Sequence, residues 1–512
     1  METVDIYAIC VSGTFAAFFL ITFRSRFLHF VQHIVLLISK YLTYPQILLR
    51  HSSFGPWSLA GIIVHTAYIT ANVYCLGFWK LTAAKVGLRA ANLALINMMP
   101  LYLGPHLSFL ADLLGVSLKS FRMVHRSAGM MSFVLVLLHI LVVIARGTSG
   151  FSLSVPENLY GVVGGSALPL LILLSIPVLR KPSYELFLRI HQALAVLLTY
   201  ATIRHLGSIS HFRWLYVYIF AGLVSALLVF QCGCVIFRNQ TWGREFPRAY
   251  ITRLHDTVRV RITVPRPVEI KAGQYINLWI PSISWYILQS HPFVVTNWAE
   301  GKQGTLELFI QPRGGLTRKL FSHGTLDPRD SVPRRAFFSG PHGISIPVVE
   351  YETILMVATG FGIAAQLPYL RKLIHGYQTC KTRTRRVHLV WQLQSLDIGL
   401  AAESLLNDAL DEDTLDDSYI LCISIYVDSA GIAKVPFGRR ATIYPGTADL
   451  EGILQDEVTG KYIQKLHAVS EERGKILIMA SGSGALRDHL RSLVRPYLED
   501  GVRLQELEFQ PE

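Results

Sequence analysis

The stretch FRMVHRSAGMMSFVLVLLHILVV (Phe121–Val143) places two histidines, His125 and His139, fourteen residues apart in an otherwise apolar run. A second run, LRIHQALAVLLTYATIRHL (Leu188–Leu206), repeats that separation with His191 and His205. A bilayer core needs roughly 20 apolar residues in a helix, and both runs supply that length. Fourteen steps of about 100° bring two side chains within roughly 40° of one face, about 21 Å apart along the axis. Each helix thus shows two imidazoles on one side, one per leaflet.

Seven windows have the length and apolarity of a span: about 4–23, 57–79, 90–111, 121–145, 158–179, 186–206 and 213–237. One span separates the two histidine runs, so they run parallel. His125 is then level with His191, and His139 with His205. A neutral imidazole nitrogen is an axial ligand for haem iron, and the pattern predicts two bis-histidine haems, one near each membrane surface. Arg122, Arg126 and Arg204 stand where propionates would emerge. His65 and His106, each alone, are read as interhelical hydrogen-bonding groups. A zinc site or a proton relay would need ligands closer together than about 21 Å.

The composition agrees with a membrane half followed by a soluble half. Hydrophobic residues make up 51% of the 512 and charged residues only 16%, with mean hydropathy +0.38. The long apolar runs end at 237. The formal charge of +13 comes from dispersed Lys and Arg, with no basic run interleaved with aromatics, so a nucleic-acid partner is excluded. The six cysteines contain no CxxC pair, which points away from a disulfide framework or zinc site. The first window lacks the basic start and small-residue cleavage site of a signal peptide and is read as an anchor. The stretch 28–50, with His33, Lys40 and Pro45, reads equally as an interfacial or re-entrant helix or as a further span. Arg24, Arg26, Lys40, Arg50, Lys119, Arg122, Arg126, Arg180, Lys181 and Arg189 fall on the side that also holds everything after 237. The bias of basic residues makes that side cytoplasmic, while Lys80, Lys85 and Arg89 run against it.

Residues 248–345 alternate short strands with Pro and Gly, the pattern of a small antiparallel barrel. Within them, QPRGGLTRKL (Gln311–Leu320) has Gly314, Gly315 and Thr317 at a helix start, able to offer amides and a hydroxyl to a diphosphate or to form a plain turn with its cap. Residues 351–512 alternate strands and helices, the mark of a doubly wound parallel sheet. Two strand-to-helix turns carry glycines: Gly360 and Gly362 in ATGFGIA, and Ser481-Gly482 in SGSGALRD. The first meets the GxGxxG dinucleotide pattern only in part. The expected division is therefore 1–54, an anchor span with an interfacial segment; 55–240, a helical haem-binding bundle; 241–348, an antiparallel β-barrel for FAD; and 349–512, an α/β doubly wound nucleotide-binding domain.

Over about residues 55–512 the chain resembles the ferric reductase transmembrane family, above all the fungal ferric-chelate reductases, and more distantly the NADPH oxidases. The resemblance is carried by the paired histidines, GQY (Gly273–Tyr275), HPF (His291–Phe293), GGLTRKL, SGPHG (Ser339–Gly343), ATGFGIA and SGSGALRD in family order. It implies that His291, Pro292 and Phe293 hold the flavin and that Thr317 and its glycines hold the FAD diphosphate. It further implies that Gly360, Gly362, Ser481 and Gly482 hold the nicotinamide nucleotide, and that Phe509 shields the flavin ring. Val294 stands where the family often has Thr or Ser, leaving Thr296 or a backbone amide to reach flavin N5. Ser481-Gly482 stands where relatives have Cys-Gly.

The implied activity is NADPH-dependent reduction of an external ferric or cupric chelate through FAD and two b-type haems, by a multi-pass protein of the plasma membrane. NADPH is favoured over NADH because no acid follows RRVHLVWQLQ until Asp397. Two other readings are a superoxide-generating NADPH oxidase, and a non-enzymatic haem-bearing scaffold with a degenerate soluble half.

Overall fold

The computed structural model describes residues 30–48, 50, 55–77, 82–147, 151–180, 182–206, 211–284, 291–414, 419–428, 435–462 and 474–510. The first apolar window and Arg24 and Arg26 lie outside them. The stretch 28–50, read as an interfacial or re-entrant helix or as a span, forms α1 (Phe30–Thr43), which is too short to be a span, then β1 (Gln46–Leu48) paired with β2 (Trp57–Ser58).

Five helices are long and apolar enough to cross a bilayer. They are α2 (Leu59–Leu76), α5 (Leu118–Ala145), α6 (Pro156–Leu174), α8 (Tyr184–Leu206) and the Val217–Asn239 part of α9 (His211–Asn239). A short α7 (Pro177–Arg180) links α6 to α8. The window 90–111, read as one span, is instead α3 (Ala83–Met98) and α4 (Leu107–Leu114), bent by 96°. The break falls in MPLYLGPH (Met99–His106), where two prolines lack the N–H that an α-helix needs and a glycine lowers propensity further.

Small residues set the packing of the bundle. Ala90 and Ala94 are buried beside Leu135 between α3 and α5. Gly164 and Ala167 of α6 lie against Leu198 and Ala201 of α8. Close backbone approach by Gly and Ala is the usual means of helix association in lipid, where apolar burial supplies little. One polar network crosses α2 and α3: Tyr68 donates to Asn97 Oδ1, and Asn97 Nδ2 donates to Asn72 Oδ1 at 2.9 Å. The histidine-bearing α5 and α8 pack chiefly on α3 and α6 respectively.

The first soluble unit has two antiparallel sheets. One has the order β7-β4-β3-β8 and the other β6-β5-β9. Their strands are β3 (Arg248–Leu254), β4 (Thr257–Glu269), β5 (Tyr275–Trp279), β6 (His291–Val294), β7 (Lys302–Ile310), β8 (Arg334–Arg335) and β9 (Phe337–His342). They share one core with Leu316 and Leu320 of α10 (Gly315–His323), and a Val295–Leu308 bridge joins them. Where a closed barrel was expected, two short sheets face each other over that core.

The second unit is a seven-stranded sheet of order β13-β14-β12-β11-β10-β15-β16. Its strands are β10 (Thr353–Thr359), β11 (Arg386–Leu393), β12 (Leu421–Val427), β13 (Val435–Phe437), β14 (Ala441–Pro445), β15 (Ile476–Ser481) and β16 (Val502–Leu507). All neighbouring pairs are parallel except β13 with β14. Helices α11 (Ile363–Gln378), α12 (Asp397–Glu412), α13 (Leu450–Thr459) and α14 (Gly484–Val494) cover it. Chain order runs one way from β10 to β12 and the other from β15 to β16, so the switch point lies between β10 and β15. Ligands of doubly wound sheets bind outside the strand carboxyl ends at that point.

Candidate functional site

The candidate residues fall into three clusters, one in the helical bundle and one in each soluble unit. The first comprises the four histidines. His125 and His191, on different helices, have ring centres 6.4 Å apart with planes at 47°. Two imidazole nitrogens sharing one metal at about 2 Å each hold their ring centres roughly 6 Å apart, so this pair fits one iron between its rings. The Nδ1 atoms of both rings are buried without a hydrogen-bond partner. At the opposite end, His139 Nδ1–H donates to Gly87 O at 3.0 Å, and His205 Nδ1–H donates to Glu157 O at 2.8 Å. A carbonyl can only accept, so both rings carry the proton on Nδ1 and the lone pair on Nε2. That is the tautomer of a metal-ligating imidazole with a backbone partner. Gly161 makes room for His205, since a Cβ there would come within 2.8 Å of the ring.

His65, by contrast, is fully committed: Nδ1 pairs with Gly61 O at 2.8 Å and Nε2 with Ser127 Oγ at 2.9 Å. It is the interhelical bond expected of it. Arg204, expected beside a propionate, lies over the Tyr160 ring at 5.4 Å.

The second cluster surrounds β6. Strand pairing sets Pro292 opposite Asn277 and His291 opposite Leu278. His291 is half-buried, and its Nε2 is buried without a partner. Burial lowers its pKa, partly countered by the Glu185 carboxylate. Phe293 points into the core between the sheets at 2% exposure, so its ring is structural, whereas His291 and Pro292 remain for a ligand. The Thr296 hydroxyl, expected as a candidate for flavin N5, donates to Glu307 O at 3.0 Å. The chain terminus does return to this strand: Val294 N–H donates to Phe509 O at 3.3 Å, and Arg313 lies over the Phe509 ring.

GGLT forms the start of α10, with Gly315 at φ 53°. The Thr317 hydroxyl donates to Gly314 O and accepts from Arg313 N–H, closing the turn on itself. An anion already sits on this helix start, for Leu316 N–H donates to Glu185 Oε1 at 2.8 Å. Glu185 comes from the first turn of α8, six residues before His191. Unpaired amides and the helix dipole attract negative charge at such a point.

The third cluster is the edge between β10 and β15. The two glycine turns meet there. A Cβ on Gly362 would come 2.5 Å from Ser481 O, and one on Gly482 would strike Thr359 Oγ1. Ser483 N–H donates to Thr359 Oγ1 at 2.8 Å. Ser481, expected to face the nucleotide, is fully buried and accepts from Gln366 Nε2 at 2.9 Å, so its hydroxyl is committed inside the unit. An acid does reach the end of β11, from the neighbouring strand: Asp428 accepts from Gln392 Nε2 at 3.2 Å. The sequence argument for NADPH from a missing acid therefore does not hold in space.

Several residues that position these clusters escaped sequence reasoning. Asp112, on α4 beyond the bend of the broken span, accepts from His342 Nδ1 at 2.5 Å and from Gly343 N–H at 2.7 Å. Arg50 and Gln46 both donate to Asp488 of SGSGALRD. For Asp112 and Glu185 a signal existed: with Glu157 they are the only acids between residues 55 and 240, and charge at membrane depth is costly unless used.

The comparisons with known proteins follow this division. A ferric reductase-like transmembrane component matches residues 90–202, an FAD-binding domain 244–345, and a ferric reductase NAD-binding domain 351–430. A ferric/cupric reductase transmembrane component 2 of Saccharomyces cerevisiae is 27% identical over 401 residues, covering 72% of this chain and 54% of the relative. A ferric reductase transmembrane component 3 of the same yeast is 25% identical over 513 residues, covering 90% and 69%. NADPH oxidase 1 of Mus musculus is 28% identical over 190 residues, covering 35% and 31%. The chain thus spans about half the length of the first of these relatives. A helical membrane bundle joined to flavin-binding and nicotinamide-binding units defines a membrane oxidoreductase. With all three matches in series, the chain is similar to the ferric reductase transmembrane family from residue 90 to residue 430.

Proposed function

We propose that the chain moves electrons across a membrane, from a nicotinamide cofactor (NADPH in the family it resembles) at the soluble half to a ferric or cupric chelate at the opposite end of the bundle. The observation that carries this reading is the His125–His191 pair at 6.4 Å, with His139 and His205 at the other end of the same two helices. His125 and His191 would hold one b-type haem and His139 and His205 a second. His291 and Pro292 would hold FAD beside Phe509, with its diphosphate at the start of α10. Gly360, Gly362 and Gly482 would let the nicotinamide nucleotide approach the backbone at the switch point. When bound, FAD splits a two-electron donor into single electrons, and the haems give those electrons places to stop within the bilayer.

The protein's own part is positional. Gly87 O and Glu157 O orient the outer imidazoles, while Asp112 ties the flavin unit to α4 and Glu185 ties it to α8, the helix that carries His191 and His205. The soluble half would lie in the cytoplasm and the bundle in the plasma membrane. The test is a reduced-minus-oxidised spectrum with haem quantitation on wild type and His139→Ala. Two haems per chain should fall to one while NADPH still reduces the flavin, and unchanged haem content would remove the ligand assignment.

The likeness to an NADPH oxidase favours a second reading, with dioxygen as acceptor along the same path. NADPH consumption with superoxide release and no chelate reduction would decide for it.

A further inference from the structure

The nucleotide unit is held on both faces of its sheet. On the face covered by α11 and α12 the flavin unit reaches it: Arg259 donates to Ala401 O and Ser404 Oγ, and His375 Nε2 pairs with Glu300 at 2.9 Å. On the face covered by α13 and α14 its partner is the segment before α2. Leu36 and Tyr44 pack there against the cluster that contains Leu486, Leu490 and Val494 of α14. Lys40 pairs with Glu499 at 2.5 Å, Arg495 Nε donates to Lys40 O at 3.1 Å, and Leu504 N–H donates to the Tyr44 hydroxyl at 3.3 Å. The segment is joined in turn to the bundle, because Leu59 N–H at the start of α2 donates to Pro45 O at 3.4 Å and β1 pairs with β2. The described residues between Leu36 and Arg50 thus form a strap from the membrane half over that face.

The strap ends beside the second glycine turn. Asp488 of α14 receives Arg50 Nε at 2.7 Å and Arg50 Nη2 at 3.2 Å on separate oxygens, and Gln46 Nε2 at 2.9 Å. Two donors of one guanidinium on two oxygens of one carboxylate fix direction as well as distance. The guanidinium lies against Gly484, the first residue of α14, where a Cβ would come 2.6 Å from Arg50 Nε. Ser483, just before it, donates its N–H to Thr359 Oγ1 at 2.8 Å, next to Gly360 of the first glycine turn. A lone surface ion pair contributes little to stability. Arg50 instead closes a run of contacts that fixes where α14 begins.

We propose that this strap is a clamp by which the membrane half sets the turn Ser481–Gly484, with Arg50 as a positioning residue for binding of the nicotinamide nucleotide. This rests on the reading of that turn as the nucleotide site. Arg50 acts through α14: while it holds Asp488, the helix start and the Ser483–Thr359 bond keep the two glycine turns in register before the cofactor arrives. Without it the cofactor has to order the turn as it binds, and affinity falls because preorganisation is lost. Once the cofactor is bound the turn is the same, so the rate at saturation is retained.

The test separates cofactor binding from electron delivery. NADP+ and NAD+, which carry no hydride to transfer, are each titrated calorimetrically against the flavin-loaded full chain in nanodiscs. Wild type is compared with Arg50→Gln, Asp488→Asn and the double variant. Reduction of a soluble dye at the flavin and of ferric citrate is then measured in the same samples. The affinity for the tighter of the two nucleotides should fall about three- to tenfold in each single variant and no further in the double, since both substitutions break one contact. The KM for the reduced cofactor should rise to match, while kcat for the dye stays within about twofold and flavin content holds. Affinity unchanged in Arg50→Gln overturns the proposal, as do losses that add in the double variant. So does a fall in flavin content or in Tm that accompanies the loss of affinity, because the strap would then only stabilise the fold. Nucleotide binding that responds as expected in a chain that reduces no ferric citrate keeps the clamp and sinks the proposed function. Ferric citrate reduction with nucleotide affinity and KM indifferent to all three variants does the reverse.

Discussion

Glu185 shows how much one side chain can carry. Its carboxylate accepts the Leu316 amide at the start of α10, the point proposed for the flavin diphosphate, while its own helix bears His191. Two anions cannot share that amide, so flavin entry must move the carboxylate aside. Glu185→Gln keeps the size and removes the charge, and it should tighten FAD binding by about three- to tenfold. Flavin fluorescence titration of the flavin-stripped full chain would measure this, and weaker binding would show that Glu185 instead helps to hold the flavin unit in place. Such a residue was hard to read from sequence because its partner lies 131 positions away. The four histidines were legible for the opposite reason: they repeat one separation within two apolar runs. Motif letters were legible but not their direction. HPF and SGSG stand at the expected places, yet Phe293 faces the core and Ser481 is sealed against Gln366.

At the scale of elements, period and apolarity found most of the helices and strands, because each is set by neighbours in sequence. The window 90–111 failed as a single span because apolarity alone does not register Pro100 and Pro105, which turn the chain through 96°. The second unit offers a sharper case. β11 and α13 are joined by Glu457, whose side chain is 1% exposed and paired with Arg386 at 2.7 Å and His388 at 2.8 Å. Burial would raise its pKa, but hydrogen bonds from His388 and Arg386 outweigh that and hold it below the ordinary carboxylate value. A depressed acid pKa contributes stability above the unfolded value, and that contribution is lost as pH falls through the folded value. The nucleotide unit should therefore lose stability as pH drops below the usual carboxylate range. Glu457→Gln leaves the Arg386 cation in place without its counter-charge and should cost about 3 kcal/mol at neutral pH. For a unit of this size that is roughly 6–12 °C in Tm, with a flatter acid limb. Thermal unfolding of the full chain in detergent across about pH 2–7, which spans the usual carboxylate values and the depressed ones beneath them, would check both, and an unchanged acid limb would count against the linkage.

Taken as a whole, the molecule has to bring two soluble units to one end of a bundle and keep them there. Sequence order supplied the units but not the contacts between them, since those contacts are single polar residues on long loops and helix ends. Arg259 donates to Ala401 O and Ser404 Oγ, tying β4 to α12. Arg50 and Lys40 hold the segment before α2 against α14 and the loop after it. A further junction lies on α4, just past the bend in the broken span. There Asp112 takes His342 Nδ1 and Gly343 N–H together, and His342 Nε2 accepts from Ser339 Oγ, which accepts from Asn277 Nδ2. Asn277 pairs with Pro292 across β5 and β6, so this chain of bonds runs from the membrane to the flavin strand. Beside it, Tyr275 is buried and its pKa is pushed up to about 12, so it stays neutral and adds no charge to the junction. Asp112 is thus a positioning residue for electron passage between the two halves. Asp112→Ala should leave NADPH-driven reduction of a soluble dye at the flavin near wild type. It should slow haem reduction by about tenfold or more, because small misplacements of reacting groups carry costs of that order. Asp112→Asn, which can still accept from Gly343 N–H, should restore part of the rate, and stopped-flow absorbance at the haem and flavin bands would resolve the two steps. Equal loss in both steps for Asp112→Ala would mean that the residue only stabilises the fold.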